Sequence, residues 1–212
     1  MSSADVLDRL IVPRSQRGQP AWEVALMFPD QGQWSEYAYF SLEAARPVEL
    51  VNGWLEVLPM PTLAHQFIVQ FLFRLLDQFV SASNLGFVLL APLPVRLLPM
   101  LIREPDVMFF RPERIRGRRY PDGADLVIEV VSEDEDSRKR DLIEKRADYA
   151  ASSVPEYWIV DPAEGRITVL TLEGTAYRVH GEFGPGTTAS SVLLPGFAAS
   201  VDAVFAAGQA AS

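Results

Sequence analysis

The sequence predicts an α+β chain, α/β-like in parts, with a mixed central β-sheet flanked by two main helices and an N-terminal β-hairpin. Three observations predict it. Residues 124–161, ADLVIEVVSEDEDSRKRDLIEKRADYAASSVPEYWIVD, read as a buried strand, a polar turn, a helix and a second buried strand. Apolar residues recur at i, i+3/i+4 from Phe67 to Phe79, the pattern of an amphipathic helix. Asn52-Gly53 stands between the apolar runs 48–51 and 54–58, and both central positions of a tight hairpin turn need positive φ. The order strand, strand, helix, several strands, helix, strands then places the chain in this class.

Taken in order, residues 1–34 are punctuated by Pro, Gly and Gln and form an N-terminal extension. A single domain is expected over 35–195, with a short C-terminal helix and tail over 196–212. Residues 35–45 give a short helix leading into the domain. Pro61 and Thr62 open the long helix, with Thr62 as its cap, and it ends near Ser83-Asn84 ahead of Gly86. Residues 87–90 and 94–98 read as two short strands around an Ala91-Pro92 turn. Asp106 then stands at the mouth of an apolar strand reaching Phe110. The strand 126–131, the helix 136–152 and the strand 156–160 follow. Residues 166–172 and 176–180 form a last hairpin around Glu173-Gly174, before a short strand at 192–194 and an Ala-rich helix from Ser200.

Composition narrows the function classes. A hydrophobic share of 49% is enough for a packed core, and the absence of cysteine excludes disulfides and thiolate metal sites. The longest apolar run, 67–80, is broken by Gln70, Arg74, Asp77 and Gln78, so it is not a membrane span. With no apolar leader in the first 20 residues, a soluble, cytoplasmic protein is expected. The net charge of −9 argues against bulk electrostatic binding to nucleic acid. Two basic clusters, Arg111 to Arg119 and Arg138-Lys139-Arg140, read as solvated loops.

The chemistry starts from Glu129. A carboxylate amid Leu126, Val127, Ile128, Val130 and Val131 is costly to desolvate unless a cation pairs with it. Period 2 puts Asp125 on its face of the strand, but four residues separate the two by roughly 13 Å, too far to share one ion. The second acid must come from a neighbouring strand, and Asp106 fits. On the next helix, Lys145 shares a face with Asp141 and Tyr149, joined by Leu142. Ile143, Ala147, Ala150 and Val154 form the opposite stripe. The pattern leaves open which side packs on the sheet; if the Leu142/Tyr149 side does, Lys145 reaches Glu129.

Asp106, Glu129 and Lys145 in this order resemble the PD-(D/E)XK nuclease superfamily, and the chain more closely resembles the Uma family of restriction endonucleases. The matching pieces are Val48-Glu49-Leu50-Val51-Asn52-Gly53, Pro61 with His65, Glu104-Pro105-Asp106-Val107 and the strand 125–132. Asp141 with Lys145 and Tyr149, and Val154-Pro155-Glu156-Tyr157-Trp158-Ile159-Val160-Asp161-Pro162, complete the match, which covers roughly residues 35–180. The resemblance implies a restriction-endonuclease-like fold and an endonuclease that hydrolyses DNA phosphodiester bonds with metal-activated water. It implies that Asp106 and Glu129 hold Mg²⁺ or Mn²⁺ and that Lys145 is the active-site lysine. The superfamily's usual lysine position, two residues after the acid, is Val131 here, so the lysine has moved onto the helix.

Glu49, Asp141 and Tyr149 are candidate additional site residues, with Glu49 read equally as an exposed strand residue; His65 reads as a helix-face or site-edge residue, with a structural role favoured. Tyr157 and Trp158 point to opposite faces of their strand and are expected in the core. A homodimer would suit cleavage of two strands by two-fold symmetry. The alternative is a catalytically inactive nuclease-fold module that binds nucleic acid or protein. With only His65 and His180, the chain has no His-rich ligand set for a small-molecule metal phosphohydrolase.

Overall fold

The computed structural model describes residues 17, 25–42, 47–115, 119–132 and 134–209, the side chains of 135 and 136 excepted. Most of the expected N-terminal extension and the end of the predicted helix 35–45 lie outside the described residues. Helix α1 (Glu36–Phe40) is capped by Ser35, whose Oγ accepts from the Ala38 amide. Strands β1 (Val48–Val51) and β2 (Trp54–Val57) form the expected hairpin, with Asn52 at φ +50° and Gly53 at φ +85°. A side chain at Gly53 would also run into the Gly32 carbonyl, so glycine is required there twice over. Thr62 caps α2 (Leu63–Ala82) by accepting from the His65 amide.

β3 (Phe87–Leu90) and β4 (Val95–Leu98) both form, but they do not pair with each other. They enter different sheets. The chain crosses between the sheets at Ala91, whose amide donates to the Asp106 carbonyl. β5 (Leu101–Arg103) is a strand the sequence does not signal: it is three residues long and ends on an arginine. β6 (Val107–Phe110), the short helix α3 (Pro112–Ile115) and β7 (Leu126–Val130) follow. The helix predicted over 136–152 has three parts: α4 (Glu135–Lys139), a π turn (Arg140–Glu144) and α5 (Lys145–Ala151). β8 (Glu156–Asp161), β9 (Arg166–Glu173), β10 (Ala176–Phe183), β11 (Thr188–Ser190), β12 (Ala198–Ser200) and α6 (Val201–Gln209) complete the chain. The strand expected at 192–194 is a bend instead. The Val192 and Leu193 amides donate to the buried Glu156 carboxylate, so a side chain and not a ladder satisfies them.

A six-stranded sheet runs β10-β9-β8-β7-β6-β3, antiparallel except for the parallel pair β7–β8. A four-stranded antiparallel sheet runs β2-β1-β5-β4, and β11 pairs with β12. Period 2 divides the core between the two faces of the large sheet. Leu126, Ile128, Val130 and Trp158 pack under α2 and α6. Val127, Val131, Tyr157 and Ile159 pack with Tyr149 of α5 and with Val95, Leu97 and Leu101 of the smaller sheet. Tyr157 and Trp158 thus enter opposite cores, both fully buried. None of the described helices is long and apolar enough to cross a membrane.

Glu36 ties α1 to the smaller sheet. Its carboxylate accepts from Arg96 Nε (3.0 Å) and from the Met100 amide (2.8 Å). Burial works to raise this acid, but the Met100 amide and Arg96 outweigh it and hold the carboxyl below its ordinary value. A depressed acid stabilises the fold above its unfolded value near 4.5, and that contribution fades as pH falls through the folded value. Glu36→Gln is therefore expected to lower the urea midpoint at pH 7, with the gap to the parent narrowing as pH falls from about 4.5 toward 3. A stability difference that persists unchanged at pH 3 would show that Glu36 acts by packing alone.

Candidate active site

The antiparallel register of β6 and β7 pairs Val107 with Ile128, which sets Asp106 opposite Glu129. The Val130 amide donates to Asp106 Oδ2 at 2.8 Å. Glu129 lies on the α5 face of β7, where its Oε1 accepts from Lys145 Nζ (2.8 Å) and from the Tyr149 hydroxyl (2.5 Å). The face of Asp141, Lys145 and Tyr149 therefore packs inward, and Ile143 and Ala147 point out. This settles the rotation that periodicity left open. Asp141 Oδ1 is 3.3 Å from Lys145 Nζ without hydrogen-bond geometry.

Asp106, Glu129, Asp141 and Lys145 line one cleft of about 160 Å³, together with His65, Glu104, Ser132 and Arg140. Tyr149 supports it from behind, and Glu49 is fully buried beneath it rather than on its wall. Glu49 Oε1 accepts from the Glu104 amide (2.9 Å), Oε2 accepts from Arg103 (2.7 Å), and Lys145 Nζ is 3.7 Å away. Asp125 stands apart, as its spacing predicts: it accepts from the Arg111 amide and pairs with Arg114 at 3.0 Å.

Several residues carry more than the sequence suggests. His65 lies at the edge of the site, its Nε2 3.3 Å from Asp106 Oδ2 at the cleft wall. The cap at Thr62 starts α2 so that His65 falls in its first turn, over Asp106. The only signal in the sequence is the Pro61/His65 spacing. The basic run 138–140 is not a solvated loop throughout. Lys139 is exposed, but Arg138 forms two hydrogen bonds to Asp161 and Arg140 faces the cleft. In the other cluster, Arg111 and Arg114 engage Asp125, and 116–118 lie outside the described residues. Glu104 places an unpartnered buried oxygen, Oε2, at the same cleft.

A family model described as "Uma2: Putative restriction endonuclease" matches residues 34–202, most of the chain. The protein belongs to this family. Among solved structures, the Uma2 chain is similar to one described as "a putative nuclease belonging to DUF820" from Anabaena variabilis ATCC 29413. That likeness has a TM-score of 0.68 at 17% identity and covers 85% of this chain and 99% of the other, which establishes the common fold. No curated protein matches.

The electrostatics of this Uma2 cleft are those of too many acids around one ammonium. Burial works against the charge on Lys145, but Glu129, Glu49 and Asp141 outweigh it and keep the lysine protonated. Burial raises Glu129; Lys145 pulls it back, and Asp106, Asp141 and Glu49 push it up further. Asp141 is raised by burial as well. Glu104 is pushed up to about 7 by burial and by the charge on Glu49. Tyr149 is raised by burial and by Glu129, so its phenol stays protonated and donates.

The donor set fits the divalent cation that the resemblance implies. The Val130 amide and His65 occupy Asp106 Oδ2, and Lys145 and Tyr149 occupy Glu129 Oε1. Asp106 Oδ1 and Glu129 Oε2 have no protein partner among the described residues, and two carboxylate oxygens suit a hard ion. No group of three or more His, Asp or Glu among the described residues is placed to hold a metal ion. An ion that keeps several waters, as Mg²⁺ does, is compatible with two protein ligands.

Proposed function

We propose that this cleft hydrolyses DNA phosphodiester bonds using a divalent cation, Mg²⁺ or Mn²⁺, held by Asp106 and Glu129. The observation that carries the proposal is the convergence of Asp106, Glu129 and Lys145 on one cleft, with one oxygen of each acid tied back by the protein. A cation bound there neutralises phosphate charge and lowers the pKa of water. The chain's own residues prepare for that chemistry. Tyr149 and Lys145 fix one oxygen of Glu129, and the Val130 amide with His65 does the same for Asp106. Such outer contacts orient metal ligands. Lys145, held at the cleft by its hydrogen bond to Glu129, is assigned to stabilising charge that develops on the phosphate.

The test is supercoiled plasmid with the purified protein and Mg²⁺ or Mn²⁺, beside Lys145→Ala. Removing one preorganised donor of this kind costs on the order of 10²–10³ in rate, so the variant is expected to be slower by that factor. Circular dichroism confirms that the variant is folded. Equal cleavage by both proteins would identify a contaminant and overturn the assignment. Salt-dependent DNA binding without metal-dependent cleavage would instead mark a non-catalytic member of the fold.

A further inference from the structure

We propose that Arg140 is a phosphate-binding residue of the same cleft, brought beside Lys145 by the π turn. The inference rests on the nucleic-acid reading of the cleft, and it concerns how the substrate is held rather than how it is cut. Residues 140 and 145 are five apart. In an α-helix, at about 100° per residue, their side chains diverge by roughly 140°. A π turn winds more slowly, near ~82° per residue, and reduces that angle to roughly 50°. The turn is closed by the hydrogen bond from the Lys145 amide to the Arg140 carbonyl, so the two cations are set on one side of the helix. π turns of this kind concentrate at functional sites.

The side chain faces the cleft. Arg140 Nη2 donates to Ser137 Oγ at 2.9 Å, and Ser137 is itself buried, with its amide on Asp134 Oδ1. Arg140 Nε is buried, lines the cleft and has no hydrogen-bond partner. The nearest acid oxygen, Asp141 Oδ1, is 3.6 Å away and equally unpartnered, and Lys145 Nζ lies 3.3 Å from that same oxygen. A buried guanidinium N–H without an acceptor is costly. A phosphate oxygen in the cleft would satisfy it, and the guanidinium fork suits phosphate geometry. Ser137 holds the group in place, and Arg140 and Lys145 would then flank one phosphate.

The experiment is fluorescence anisotropy of a labelled DNA duplex from 50 to 300 mM salt, with Ca²⁺ and with EDTA, for four proteins. They are the parent, Arg140→Ala, Arg140→Lys and Lys139→Ala. Loss of one charge-assisted phosphate contact is expected to weaken binding by about tenfold to a hundredfold and to reduce the salt slope by about 0.9. Arg140→Lys keeps the charge and is expected to restore most of the slope but not the full affinity. Lys139→Ala makes the same charge change on the exposed neighbour and is expected to match the parent. If Arg140→Ala binds with the parent's affinity and slope, or if Lys139→Ala weakens binding equally, the proposal is overturned. A parent that does not bind the duplex overturns it as well. A parent that binds but never cleaves, with the Arg140 effect present, leaves this inference standing and removes the nuclease reading.

Discussion

Asp106→Asn is expected to lower metal-dependent cleavage on the order of 10³-fold while leaving the fold intact. Asparagine keeps the shape and one carbonyl oxygen, so the Val130 amide, now 2.8 Å from Asp106 Oδ2, retains an acceptor. What disappears is the charge facing Glu129 across the β6–β7 register. A bound cation contributes several kcal/mol of charge stabilisation, and each 1.36 kcal/mol is tenfold in rate, which sets the factor at about 10³ or more. The same variant should lose the thermal response to metal. A site filled at a hundred times its dissociation constant stabilises the native state by about 2.7 kcal/mol. Mg²⁺ titration is therefore expected to raise the melting temperature of the parent and to leave Asp106→Asn unmoved. Cleavage and metal stabilisation that both survive the substitution would exclude Asp106 as a ligand.

Arg103→Leu is expected to destabilise the fold by about 3–5 kcal/mol, the scale of breaking a buried ion pair on one side. Arg103 is 1% exposed and reaches three acids from three elements. Its Nη1 donates to Glu49 of β1 (2.7 Å) and Glu56 of β2 (2.6 Å), and its Nη2 donates to Asp148 of α5 (2.7 Å). Burial opposes the charge, but Glu49, Glu56 and Asp148 together hold the guanidinium firmly protonated. Leucine leaves Glu49 fully buried, with Lys145 at 3.7 Å as its nearest cation. The helix that presents Lys145 also loses its tie to the hairpin. Urea unfolding by circular dichroism reads the loss, and Arg103→Lys should fall between, since an ammonium cannot reproduce the fork. A Leu variant within about 1 kcal/mol of the parent would show that the arginine does not hold these elements together.

Residues whose roles are legible in the sequence and residues whose roles are not differ in how their information is stored. Glu129 stands out because it interrupts an apolar run, Asp106 stands at the mouth of another, and the family resemblance joins them. Lys145 was visible as a residue but not as an orientation. Two opposing stripes competed on its helix, and burial of Asp141, Lys145 and Tyr149 decided between them. A lone histidine on a helix shows no partner in the local sequence, and Asp106 reaches His65 only after folding. Arg103 sits in a strand too short to show a period, and Arg140 was hidden inside a basic run that looked solvated. The strand expected at 192–194 failed for a related reason. Glu156, distant in sequence, takes the amides that a neighbouring strand would have taken.

The sequence by itself determined the hairpin at Asn52-Gly53, the Thr62-capped helix, the strand–helix–strand from Leu126 to Asp161 and the family. The first three rest on turn, cap or period chemistry spanning a few residues, which survives without a partner, and the family rests on the resemblance of motifs spread over roughly residues 35–180. Only the tertiary structure decided that His65 meets Asp106, that Glu49 lies beneath Lys145 rather than on the cleft wall, and that Arg140 joins Lys145. Those meetings depend on sheet register, on the choice between two faces of one helix and on a slow-wound π turn. They are settled by which buried charges can satisfy one another once the layers close.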